Sequence, residues 1–124
     1  MKKFIEKYDG KTIEDWGCTC SKEFKDMTSS FKRALKRTFP AAKLTGFKAN
    51  HYDFTGFVEQ DGKCVYISYS MKRGEPMDMH DSSCFGGVLV RTARDVKDYI
   101  GGHNNFCSFY TLKSCVEKVM NSRF

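Results

Sequence analysis

The hydrophobic period of this chain changes once, abruptly, at Pro40. Before it, Phe24, Met27, Phe31 and Leu35 recur at spacings of three and four, which traces one face of an α-helix. The spacing predicts a helix from Ser21 to Thr38. Ser21 is a suitable N-cap, and Glu23 and Asp26 sit early against the helix dipole. Lys36 and Arg37 fall in the last turn, where cations are favoured, and Pro40 ends the element. After Pro40 the period is two. Residues 42–48, 54–59 and 63–71 read as strands, the last with Val65, Ile67, Tyr69 and Met71 alternating against Cys64, Tyr66, Ser68 and Ser70. Asp61-Gly62 between two of them is a type I′ hairpin signal.

The rest of the chain fits around this switch. Residues 72–87 read as a loop, Val88 to Arg91 as a short fourth strand, and 94–100 as a helical turn. A last helix from about Thr111 to Ser122 would bury Leu112, Cys115, Val116 and Val119. Residues 1–19 lack a period and read as an irregular arm, pinned by Phe4, Ile5 and Trp16. The expected architecture is therefore α+β in two layers: an N-terminal helix, an antiparallel sheet of three to four strands and a C-terminal helix. Helices must then cover one face of the sheet. The element order is similar to that of double-stranded RNA-binding domains, a likeness that implies fold order alone.

With 124 residues the chain reads as a single domain, 1–124, large enough for one core without disulfides or metal. An aromatic content of 15% excludes intrinsic disorder. No apolar run approaches the roughly 20 residues of a membrane span. Met1 to Glu6 lacks the apolar core of a signal peptide. A cytoplasmic setting inside a bacterial host cell is expected, with no membrane partner.

The formal charge is +6, and its placement is lopsided. Residues 1–50 hold 12 Lys and Arg against 6 Asp and Glu, whereas residues 51–124 hold 9 against 9. Most of the excess lies on the predicted helix, at Lys22, Lys25, Lys32, Arg33, Lys36 and Arg37, followed by Lys43 and Lys48. Such a face points to an acidic partner, either nucleic acid or the acidic surface of a protein. The competing explanation is a solvated helix face that serves solubility.

Six cysteines are present. A reduced chain is expected, with Cys64 and Cys115 serving as small core residues. Cys18-Thr19-Cys20 is a C-x-C pair, and His80/Cys84 and His103/Cys107 are H-x₃-C pairs. Two such pairs would satisfy the four ligands of a structural zinc. The spacings match no standard finger, and the alternative is that these loop residues simply lie near one another. No cofactor is expected; zinc is the one these residues would admit.

Other motifs are weaker. Gly86-Gly87 and Gly101-Gly102 fit neither a dinucleotide-binding nor a Walker A pattern, and unusual backbone angles in turns explain them equally well. A Cys84 or Cys107 nucleophile with a histidine base is conceivable chemistry, and His51, His80 and His103 are the histidines available. No motif places such a pair in reach, so no enzyme is expected. Aromatic strands beside basic residues can stack nucleic-acid bases. Here Tyr66 alone is expected to face outward, beside Ser68 and Ser70.

Two stretches carry a resemblance. One is Phe24 to Lys36 with Pro40, followed by Asn50-His51-Tyr52-Asp53-Phe54-Thr55-Gly56-Phe57. The other runs from Val90-Arg91-Thr92-Ala93 through Lys97-Asp98-Tyr99 and Gly101-Gly102-His103-Asn104-Asn105-Phe106. Together they resemble a family of small proteins carried by phages and conjugative elements of Gram-positive bacteria. The resemblance brings no catalytic residues, and the cysteines stand outside its pattern. It implies an inhibitor of host defence, such as an anti-CRISPR protein that blocks a CRISPR effector nuclease. The charge of +6 departs from the acidic DNA-mimic type and suits docking on an acidic patch of a host protein or nuclease complex. A basic nucleic-acid-binding accessory protein and a small zinc protein are the alternatives.

Overall fold

The structure, a computed structural model, describes residues 1–14, 21–72 and 74–122. Its elements are α1 (Lys2–Tyr8), α2 (Lys22–Thr38), β1 (Lys43–Asn50), β2 (Asp53–Gln60), β3 (Lys63–Ser70), β4 (Val88–Ala93), β5 (Asn105–Cys107) and α3 (Leu112–Met120). The five strands form one antiparallel meander in the order β1-β2-β3-β4-β5. The three helices share one hydrophobic core with one sheet face: Phe4 of α1, Phe31 of α2 and Val116 of α3 join Phe54, Val65, Ile67 and Val90.

The period switch at Pro40 is reproduced closely. Ser21 caps α2 by accepting from the Phe24 N–H at 3.2 Å, and Phe24, Met27, Phe31 and Leu35 are all fully buried. Asp61 and Gly62 take φ of 54° and 74°, the pair of positive angles a type I′ turn requires.

Four expectations are corrected. The first concerns the N-terminal arm, whose first half is a helix, α1, with Phe4 and Tyr8 buried. Phe4 packs on Phe31 and Phe109 at 5.5 and 5.4 Å. The arm continues along the 72–87 loop: Met77 N–H donates to the Lys11 carbonyl, Gly10 N–H to the Met77 carbonyl, and Met79 N–H to Asp9 Oδ1. Trp16 lies outside the described residues. The second correction is a fifth strand, too short to show a period of two.

The third lies within β1. Its register shifts between Gly46 and Lys48, a β-bulge in which Gly46 and Phe47 take φ of 85° and 61°. The extra residue turns the Phe47 ring into the core, where it is 3% exposed and meets Phe31. Across the ladder stands Gly56. A Cβ there would lie 2.5 Å from the Phe47 ring, so this glycine supplies the room the bulge needs.

The fourth is residues 94–100, which form no helix. They belong to a structured loop held by Asp98, whose carboxylate accepts the N–H groups of Arg94, Ile100 and Gly101. The loop covers part of the sheet's second face.

Candidate functional site

On a 17-residue helix the buried residues 24, 27, 28, 31, 34 and 35 occupy one side, so the six basic residues project from the other. Lys22, Lys25, Lys32, Arg33, Lys36 and Arg37 are all exposed. Lys22 pairs with Asp26 at 3.0 Å. The remaining five form no ion pair among the described residues. Arg33 donates to the Ser30 hydroxyl at 3.1 Å, and the Lys36 ammonium donates to the Ala42 carbonyl. That bond fixes one cation at the corner where α2 passes into β1.

Beside this face, α2 and β1 form an open groove of about 550 Å³ lined by Ser29, Lys32, Arg33, Lys36, Lys43, Leu44 and Phe47. Lys43 and Lys48 of β1 are exposed and carry positive charge onto the sheet edge. The helix stripe was legible from sequence. The groove was not, because it depends on how α2 lies against β1.

Among the described residues, the cysteines and histidines do not converge in the same way. Cys18 and Cys20 lie outside the described residues. Among the described residues, no group of three or more His, Cys, Asp or Glu side chains is arranged to hold a metal ion. His80 is exposed and packs on Tyr110 at 5.1 Å, Cys84 is exposed, and His103 is exposed on the loop between β4 and β5. Cys107 is buried on β5. It pairs instead with Cys115 of α3, donating the side-chain hydrogen bond between them. Accepting that bond lowers the Cys115 thiol, while donating it, together with burial, pushes the Cys107 thiol upward. Cys64 is buried as expected, and burial raises its thiol to about 11. His51 occupies the turn between β1 and β2, so the three histidines sit on three separate connections.

The second sheet face corrects the reading of Tyr66. Its side chain does point away from the helices, but it is only 8% exposed. Tyr99 packs edge-on against Phe57 and Tyr66 at 5.2 and 5.9 Å, and the Arg91 guanidinium lies 4.5 Å over the Tyr66 ring. Arg91 also donates to the Tyr99 carbonyl. Sequence alternation alone missed this because the cover comes from a loop some 30 residues further along the chain. The glycine pairs divide by cause. Gly102 has φ of 77°, as expected of a turn. Gly86 and Gly87 instead allow close approach: a Cβ on Gly87 would lie 2.7 Å from the Ser83 carbonyl.

The fold and this face define a small α+β protein with a cationic groove between its long helix and an edge strand. Comparison with protein-family models, curated proteins and solved structures gave no match. No helix among the described residues is long and apolar enough to cross a membrane.

Proposed function

We propose that this is a non-enzymatic inhibitory binding protein of a phage or other mobile element, docking through the basic face of α2 on an acidic surface of a host protein complex. The specific target the resemblance suggests is a CRISPR effector nuclease. The observation that carries the reading is the stripe of Lys25, Lys32, Arg33, Lys36 and Arg37, exposed and without ion pairs among the described residues. Unneutralised like charges repel one another, and a complementary partner relieves that cost while accelerating association. The test is a DNA-cleavage assay of a purified effector nuclease with the wild-type chain and the Arg33/Lys36/Arg37→Glu triple variant. Inhibition by the first and its loss in the second supports the reading.

A second reading, direct nucleic-acid binding, draws on the continuation of the charge to Lys43 and Lys48. It predicts a gel shift with DNA or RNA whose log–log salt slope is about −0.9 per phosphate contacted on duplex DNA. No shift at about micromolar protein in low salt removes it, since nonspecific binding typically falls in the 10⁻⁴–10⁻⁶ M range even at physiological salt.

A further inference from the structure

The groove between α2 and β1 combines two properties that a solubility face does not need. Its rim is cationic: Lys32, Arg33 and Lys36 come from the helix and Lys43 from the strand. Its floor is apolar: Leu44 is half-buried and lines the groove, with the bulge residue Phe47, whose ring is buried in the core, bordering it. The lysine stems extend that apolar lining below their ammonium groups. Among the described residues β1 is also the outermost strand of the sheet, paired with β2 alone, so one edge of its backbone has no neighbouring strand there.

We propose that this groove takes an acidic, extended segment of a partner protein, with one apolar side chain seated on Leu44 and the lysine stems and flanking carboxylates held by Lys32, Arg33, Lys36 and Lys43. The inference rests on the reading of α2 as the docking face and narrows the partner's chemistry. Charge complementarity selects the acidic flanks. The floor selects a peptide over a phosphodiester strand: a sugar–phosphate backbone satisfies the rim but leaves the floor unused. A purely protective role for edge lysines would need no floor either.

The test uses fluorescence anisotropy with the full chain and four probes: an Asp/Glu-rich 12-residue peptide with a central Leu-Phe, the same peptide with Ser-Ser, polyglutamate, and single-stranded DNA of matched charge. The Leu-Phe peptide is expected to bind about tenfold more tightly than the Ser-Ser peptide, the effect of burying roughly two methylene equivalents. Leu44→Ser should abolish that difference and leave polyglutamate binding unchanged. Leu44→Met, which keeps apolar volume, should retain it, and matched melting temperatures of the two variants exclude a folding defect. Equal affinity for both peptides, or tighter binding of the DNA, overturns the inference while leaving a polyanion-binding face in place. If none of the four probes binds, both the inference and the reading beneath it fail.

Discussion

Replacing Gly56 by Ala tests whether the bulge that shapes the groove is structurally required. The added Cβ would lie 2.5 Å from the Phe47 ring carbons, against an ordinary carbon contact of about 3.5–4.0 Å. The ring would therefore have to retreat by about 1 Å to regain that spacing. It has little freedom to do so, because Phe31 lies at 5.8 Å and Phe54 at 6.5 Å on its core side. Overpacking of this kind costs about 1–3 kcal/mol. For a chain of this length, each kcal/mol moves the midpoint by about 3–5 °C, so a fall of about 3–15 °C is expected in a circular-dichroism melt. The reasoning is specific to the ring. In a Phe47→Leu background the smaller side chain leaves room, and the added cost of Gly56→Ala should shrink below about 0.5 kcal/mol, a clear departure from additivity. An unchanged melt for Gly56→Ala, or full additivity with Phe47→Leu, would refute it.

Three further outcomes are expected. Ser21→Ala removes the cap on the Phe24 N–H and should cost about 1 kcal/mol by chemical denaturation. Cys107→Ala removes the donor that holds the Cys115 thiol down to about 7; the midpoint of Cys115 alkylation against pH should rise toward the ordinary thiol value, with no rise counting against the pair. Hydrogen bonds from Arg94, Gly101 and Ile100 N–H groups hold the Asp98 carboxyl below its ordinary value. A carboxylate depressed in the folded state lends its stabilisation above the unfolded pKa and loses it as pH falls through the folded one. Amide exchange in residues 94–101, corrected for intrinsic rate, should therefore accelerate on acidification, and Asp98→Asn should remove that pH dependence.

What the sequence made legible follows from the range of each interaction. α2 was readable because its apolar period, its Ser21 cap and its Pro40 stop all act within a few residues. The β2–β3 hairpin was readable because Asp61-Gly62 specifies its own turn. The basic stripe of the candidate site came with the helix for the same reason. The β1 bulge was not readable, because the room it needs is provided by Gly56 on the neighbouring strand. Alternation gives the face of Tyr66 but not its burial, because its cover is Tyr99 on a distant loop. The groove likewise depends on Leu44 and Lys43 meeting Lys32, an arrangement that exists only after folding. The zinc alternative joined Cys18/Cys20 and the two H-x₃-C pairs by spacing alone; Cys18 and Cys20 lie outside the described residues, and the fold places Cys107 against Cys115 and His80 on Tyr110.

The docking role of α2 is tested most directly by inhibition of a purified CRISPR effector nuclease by the wild-type chain and the Arg33/Lys36/Arg37→Glu variant, compared at equal concentration and matched thermal stability. The account predicts that wild type suppresses cleavage and the variant does not. Suppression by both would contradict the assignment of the basic face, and suppression by neither would contradict the inhibitory function itself.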